Sequence, residues 1–225
     1  MKKIDVYIIT YTETNGDSNF RWIKNNLFPE VKRIDNIKGR SNAYKAVFDD
    51  TDADYVYIVE GDHNVNPDFK FDVPPDEAVH VWPSVNRSNQ WHTYASGIKL
   101  FPVQPFKGYE FNKFDVLLGL ETPIVLEKGS ASAHQWDYTD FAIFSHIARQ
   151  NLKLRAMISE GIVGAQEEYN KWTEWELHPE YNRENIKTFW DFAETLSLDT
   201  LPDDFFDTYD YLKQLFIDSF IKVEK

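Results

Sequence analysis

The sequence of 225 residues contains no cysteine and no long run of apolar residues. The first absence excludes disulfides and cysteine-ligated metal sites. The second argues against a transmembrane helix, which needs about 20 predominantly apolar residues in succession. Asp5 interrupts the N-terminal segment and no small-residue cleavage site follows, so residues 4–10 are interpreted as a buried strand and not as part of a signal peptide. A cytoplasmic protein without a membrane partner is expected.

Basic residues are scarce, with 24 Lys and Arg against 37 Asp and Glu, which gives a formal net charge of -13. Residues 1–165 contain 18 basic and 22 acidic groups, whereas residues 166–225 contain 6 and 15. Such a protein repels the phosphate backbone on average, which argues against broad nonspecific nucleic-acid binding. The change in composition predicts a main domain over 1–165 and an acidic, aromatic, helical extension over 166–225 that packs on it.

Strand and helix patterns alternate along the first 60 residues. The predicted elements are strands at 4–10, 31–37 and 55–59 and helices at 18–27 and 39–48. This alternation predicts an α/β fold with a mainly parallel sheet flanked by helices. Ligands bind such sheets beyond the carboxyl ends of the strands, so the polar residues after the first and third strands should face one cleft. Further strands are predicted at 78–82 and 98–101, and helices at 137–149 and after 167.

An acidic loop, Glu60-Gly61-Asp62, follows the third predicted strand. Two carboxylates at the end of a buried strand, with a glycine between them, can turn toward one cation. A hard divalent ion held there would neutralise the diphosphate of a nucleotide. The alternative is a solvated acidic turn.

Three motifs in the first 70 residues resemble those of family-2-like GT-A glycosyltransferases. They are Thr10-Tyr11-Thr12-Glu13 at the end of the first strand, Gly39-Arg40-Ser41-Asn42-Ala43-Tyr44-Lys45 at the second helix, and Glu60-Gly61-Asp62 followed by Pro67. The resemblance implies a GT-A, Rossmann-like catalytic domain over 1–165 and a cofactor of Mn²⁺ or Mg²⁺. The family usually has aspartate where this chain has Glu60, so Asp62 is the principal candidate metal ligand.

The resemblance also implies roles for residues around this loop. Thr10, Tyr11 and Glu13 are assigned to the nucleoside, Asp35 to the base, and Arg40 and Lys45 to the phosphates of a nucleotide-diphosphate sugar such as a UDP-sugar. Packing in the core is the alternative for Tyr11, and an exposed turn is the alternative for Asp35. His63 directly follows the acidic loop and His134 precedes Asp137, so either could supply a metal ligand or a hydrogen bond to phosphate. His178 resembles a late histidine that reaches the metal in some GT-A enzymes.

A second stretch, 79–102, resembles glycosyltransferases encoded by bacteriophages. Trp82, Trp91, Tyr94 and Lys99 are the candidate residues for acceptor binding, because aromatic rings offer rigid faces to a sugar or a base. Packing in the core is the alternative for Trp82. Asp137 is the first candidate for the general base of an inverting transfer, and Asp140 is the second. Aspartates also stabilise helix starts without any catalytic duty.

The predicted function is metal-dependent transfer of a sugar to an acceptor hydroxyl. The resemblance to phage enzymes suggests a hydroxymethylated base in viral DNA, reached in the host cytoplasm, whereas the net charge argues against DNA. A protein, glycan or small molecule is left open as acceptor. The alternatives are a nucleotidyltransferase acting on a sugar phosphate and a noncatalytic module that binds carbohydrate or DNA. The stretch 11–17 contains one glycine and no basic residue, which is unlike the phosphate loop of a nucleotidyltransferase.

Overall fold

A computed structural model describes most of the chain. The described residues are 2–11, 13, 15–72, 76–87, 92–93, 97–112, 116–117, 119–134, 139–159, 161, 164–174, 183–200 and 209–221. By their contacts, residues fall into two compact units, Met1–Gln135 and Trp136–Lys225. The sequence prediction divided the chain after residue 165, where acidity rises. The contacts divide it after Gln135, so the helix that precedes residue 165 belongs to the second unit.

The first unit contains ten described strands and two α-helices. They are β1 (Ile4–Thr10), α1 (Gly16–Asn26), β2 (Lys32–Asp35), α2 (Arg40–Asp50), β3 (Tyr55–Glu60), β4 (His63–Val65), β5 (Val79–Val81), β6 (Ser84–Asn86), β7 (His92–Thr93), β8 (Lys99–Pro102), β9 (Ile124–Leu126) and β10 (Ser132–His134). The predicted alternation through β3 is confirmed, with element ends shifted by a few residues. Sequence patterns gave no prediction for β4, β9 or β10.

Six of these strands form a mostly parallel sheet in the order β2-β1-β3-β8-β5-β9. Strands β1 and β2, β1 and β3, and β5 and β9 pair in parallel. β8 is antiparallel to both of its neighbours, β3 and β5. The predicted α/β class with a mainly parallel sheet flanked by helices is therefore confirmed, and this arrangement is compatible with a Rossmann-like fold.

The two faces of the central strands build two separate apolar clusters. Side chains alternate between the faces of a strand, so Tyr7 and Ile9 join one cluster while Val6 and Ile8 join the other. The first cluster includes buried residues of α2, among them Tyr44. The second cluster includes residues of α1. Because both faces are covered, β1 and β3 appear in the sequence as nearly continuous apolar runs.

A smaller sheet of four strands, β4-β10-β6-β7, lies within the same unit. β10 pairs antiparallel with β4 and parallel with β6, and β6 pairs antiparallel with β7. The connection 83–97, which lies between the predicted strands at 78–82 and 98–101, thus contributes two short strands to this sheet. The pairing of β4 with β10 places His63 opposite His134.

The second unit is helical. Its described elements are α3 (Asp140–Ser159), α4 (Ala165–Glu174), α5 (Arg183–Glu194) and α6 (Tyr209–Phe220), with a 3₁₀ turn at Leu198–Thr200. Aromatic rings hold them together: Phe144 lies 5.5 Å from Phe189 and 5.4 Å from Phe216, measured between ring centroids. Trp172 and Trp190 stack at 5.7 Å. The predicted helical C-terminal region is confirmed. No helix in the described part of the chain is long and apolar enough to span a membrane.

Candidate functional site

Glu60, Asp62 and His63 gather at the carboxyl end of β3. Each offers one ligand atom, and these atoms lie within 4.8 Å of one another. Among the described residues, this is the one group of three such side chains close enough to share a metal ion. The side chain of His63 is fully buried, that of Glu60 is 13% exposed and that of Asp62 is 30% exposed. Carboxylate oxygen and imidazole nitrogen are ligands that Mn²⁺ accepts, so the donor chemistry fits the predicted cation.

A serine orients the imidazole of His63. His63 Nδ1 lies 3.0 Å from Ser132 Oγ on β10, and His63 Nε2 lies 3.6 Å from Asp62 Oδ1. A hydrogen bond at one ring nitrogen fixes the orientation of the other, as it does in many metal sites. Sequence patterns do not reveal Ser132, because its contact depends on the pairing of β4 with β10, whose residues are far apart along the chain.

Gly61 permits a close approach between the ends of β1 and β3. Ile9 pairs with Glu60. Thr10, which follows Ile9, therefore lies beside Gly61, which follows Glu60. A Cβ atom on Gly61 would lie 2.7 Å from Thr10 Cγ2 and 3.2 Å from Glu13 Oε2. The acidic loop and the loop after β1 therefore lie against each other at this end of the sheet.

Thr10 and Asp35 are joined across β1 and β2. Thr10 Oγ1 donates to Asp35 Oδ1 at 2.5 Å, and Arg33 Nε donates to Thr10 Oγ1 at 2.7 Å. The Arg33 guanidinium also donates to Asp35 and to Asp17. Asp35 is thus held by its neighbours, and its side chain is 41% exposed at the end of β2, as the alternative of an exposed aspartate also expects. Sequence analysis did not identify Arg33, because only the register of β1 with β2 brings it to this edge.

Glu13 lies against the acidic loop. Its Oε2 accepts a hydrogen bond of 2.7 Å from the backbone N–H of Tyr11. Burial raises the pKa of Glu13, the hydrogen bond from Tyr11 opposes this, and the negative charges of Asp62 and Glu60 raise the pKa further. A cation placed among these carboxylates would relieve their mutual repulsion.

Arg40 faces the site and Lys45 does not. Arg40 and Tyr44 lie one turn apart on α2 and therefore share a face. Arg40 reaches Glu60 Oε2 at 3.7 Å, and Tyr44 Oη reaches Glu60 Oε1 at 3.4 Å. Lys45 pairs instead with Glu110, at 2.5 Å between Nζ and Oε1. Its predicted contact with phosphates has no support in this arrangement.

Two of the predicted acceptor residues contact other parts of the protein: Trp82 packs against aromatic rings, and Lys99 pairs with Glu60. The half-buried Trp82 ring lies 5.6 Å from Tyr57 and 5.5 Å from Phe69, between centroids, which agrees with the alternative of core packing. Lys99 is fully buried and its Nζ lies 3.2 Å from Glu60 Oε1. A fully buried ammonium paired in this way belongs to the acidic loop and not to a surface that meets an acceptor.

The remaining predicted residues divide between exposed and undescribed positions. Tyr11 is 36% exposed at the end of β1, which suits a contact face better than core packing. Asp140 is the exposed first residue of α3, in the second unit. Trp91, Tyr94, Asp137 and His178 lie outside the described residues.

No known protein family matches the sequence, and a search of curated proteins found no relative.

Proposed function

We propose that this protein is a metal-dependent GT-A glycosyltransferase, which moves a sugar from a nucleotide-diphosphate sugar to an acceptor hydroxyl. One observation carries the proposal: Asp62 and His63, with Glu60 beside them, lie at the carboxyl end of β3, in contact with the loop that follows β1. This edge of a mostly parallel sheet is where such folds bind nucleotides. The three sequence motifs of the resemblance meet at this edge.

The nucleoside would lie over the ends of β1 and β2. Asp35, fixed by Thr10 and Arg33, would accept a hydrogen bond from the base, and the exposed ring of Tyr11 would offer it a flat face. A uracil base suits such a carboxylate, since its ring N–H is a donor. We therefore propose a UDP-sugar as the donor.

The diphosphate would lie beside the acidic loop. Without a cation, the carboxylate of Asp62 and the diphosphate repel each other. Asp62 and His63 would hold Mn²⁺ or Mg²⁺, and the cation would supply neutralisation of the leaving diphosphate. The imidazole nitrogen favours Mn²⁺ over Mg²⁺, which prefers an all-oxygen set. Arg40 adds a fixed positive charge at the same place.

In an inverting transfer, the acceptor oxygen attacks the anomeric carbon while the bond from that carbon to the diphosphate oxygen breaks. The hydroxyl proton passes to a carboxylate, for which Asp137 and Asp140 are the candidates. The acceptor hydroxyl of a modified phage DNA base is one substrate of this kind, and a glycan, protein or small molecule is another. The strongly acidic composition favours the acceptors that carry no phosphate backbone.

The test is a turnover screen of UDP-sugars and other nucleotide sugars with Mn²⁺ or Mg²⁺, with and without chelator. We expect slow hydrolysis of one donor that stops when the metal is removed. Asp62→Asn should abolish this metal-dependent hydrolysis, whereas Asp68→Asn, an equal charge change at an exposed position of the same connection, should leave it intact. Activity that survives the chelator would contradict the metal role.

The same screen separates the alternatives. Release of pyrophosphate from a nucleoside triphosphate and a sugar phosphate would identify a nucleotidyltransferase. Binding of carbohydrate without turnover of any nucleotide sugar would identify a noncatalytic module.

A further inference from the structure

Glu60 is surrounded by positive charge. Lys99 Nζ lies 3.2 Å from Oε1, and a terminal nitrogen of Arg40 lies 3.7 Å from Oε2. Both carboxylate oxygens of Glu60 therefore already face cations of the protein itself.

Lys99 has its place through strand pairing. β8 is antiparallel to β3, with Lys99 opposite Ile58, and Glu60 is the next residue on that face of β3. The Lys99 side chain is fully buried, and its Nζ lies 5.9 Å from the centre of the Tyr44 ring. A buried ammonium is costly without a counter-charge, and Glu60 supplies one.

Asp62 is more exposed than Glu60. Its side chain is 30% exposed and its carboxylate faces the imidazole of His63, which Ser132 orients from β10. A divalent cation bound through Glu60 would lie close to Arg40 and Lys99 and would be repelled by both. The same ion bound through Asp62 and His63 would meet a carboxylate oxygen and an imidazole nitrogen.

We propose that Glu60 is a positioning residue and not a metal ligand: together with Lys99 it holds the Arg40 guanidinium against the diphosphate, while Asp62 and His63 bind the metal. This inference rests on the proposed function in assuming a diphosphate ligand. With a divalent cation on Asp62 and His63, the metal, Arg40 and Lys99 would exceed the carboxylates of Glu60, Asp62 and Glu13 by one positive charge, and an anionic ligand would balance it. The fork of an arginine suits phosphate oxygens, and Glu60 fixes its orientation.

Two binding measurements with defined probes test this assignment. Mn²⁺ alone is titrated and followed by its electron paramagnetic resonance signal, and inorganic pyrophosphate is titrated by calorimetry in the presence of saturating Mn²⁺. Asp62→Asn should weaken Mn²⁺ binding by about 10-fold or more. Glu60→Gln should leave Mn²⁺ affinity within about threefold and weaken pyrophosphate binding by about 10-fold, the scale of losing one charge-assisted hydrogen bond.

A double-mutant cycle shows whether Glu60 acts through Arg40. Arg40→Met should weaken pyrophosphate binding by about 10-fold in the wild-type background and by less than about threefold in the Glu60→Gln background. Glu60→Gln leaves Lys99 buried beside a neutral partner and can destabilise the fold. The pair Glu60→Gln with Lys99→Met removes both charges, and it should show the same loss of pyrophosphate binding with intact Mn²⁺ binding.

Three results would overturn the inference: a fall in Mn²⁺ affinity in Glu60→Gln as large as in Asp62→Asn, additive effects of Arg40→Met and Glu60→Gln, or no pyrophosphate binding by the wild-type protein. Failure of the proposed function looks different. There the wild-type protein binds Mn²⁺ and pyrophosphate with the expected variant pattern, but turns over no nucleotide sugar.

Discussion

Gly61→Ala tests the close approach on which the site depends. A Cβ atom at this position would lie 2.7 Å from Thr10 Cγ2 and 3.0 Å from the backbone oxygen of Ile9. Contacts below 3.0 Å force a shift, and one of the atoms met belongs to the backbone of β1. Overpacking of this kind costs about 1–3 kcal/mol. For a chain of this length, each kcal/mol lowers the melting temperature by about 2–4 °C.

The assay is urea unfolding, with the free energy of unfolding taken from linear extrapolation. Thr10→Ser provides the decisive background, because it removes the methyl group that the new Cβ atom would strike and keeps the hydroxyl that donates to Asp35. We expect the cost of Gly61→Ala to be smaller by about 1 kcal/mol or more in that background. Gly16→Ala is a graded control: its Cβ would approach the same methyl group only to 3.0 Å, so its cost should be smaller.

Equal costs of Gly61→Ala in the wild-type and Thr10→Ser backgrounds, within about 0.3 kcal/mol, would refute the reasoning. The glycine would then owe its place to the Ile9 oxygen or to the conformation of the loop, and the contact between the two loops would lose its importance for the site.

Three further predictions concern the fold and the chemistry. The pKa of Asp5 is lowered from 3.8, because hydrogen bonds from Lys32 and Thr51 outweigh the effect of burial, so the stability it contributes is present above pH 3.8 and lost below. Urea unfolding of Asp5→Asn should show a deficit of about 1–2 kcal/mol at pH 7 that shrinks at pH 3. Trp82→Ala should cost about 2–4 kcal/mol of unfolding free energy, whereas unchanged stability with lost acceptor use would restore its binding role. Asp137→Asn should lower kcat by about 100-fold with donor affinity retained, and near-normal turnover would eliminate this base.

Local sequence patterns predict best the strands that are buried on both faces of the sheet. β1 and β3 are covered on both faces, so 4–10 and 55–59 are recognisable as continuous apolar runs. β4, β9 and β10 are three residues long each, and Ile124 and Leu126 of β9 are exposed. Such short strands exist only because a neighbour pairs with them, and a pattern of one or two side chains cannot reveal that.

Some residues of the candidate site could likewise be predicted from the sequence, and others could not. The residues next to strand ends, Thr10, Glu13, Glu60 and Asp62, could be predicted because chain order in an α/β sheet determines which loops share an edge. Arg33 and Ser132 reach that edge through strand register, which sequence spacing does not show. Trp82 is ambiguous in the sequence, because an aromatic ring serves equally well in a core and at a ligand.

Lys99 shows which signal in the sequence deserves more weight. Its burial does not favour the predicted role in acceptor binding, and its neighbours Ile98, Leu100 and Phe101 are all apolar and all fully buried. A lysine inside such a strand cannot reach water along a short path, so it must meet a carboxylate. Glu60, the acidic residue at the end of the buried run of β3, carries the opposite charge and pairs with Lys99. The antiparallel pairing of β8 with β3 brings the two together. A lone charge in one apolar strand and an opposite charge at the end of another therefore indicate, from the sequence, that the two strands are neighbours.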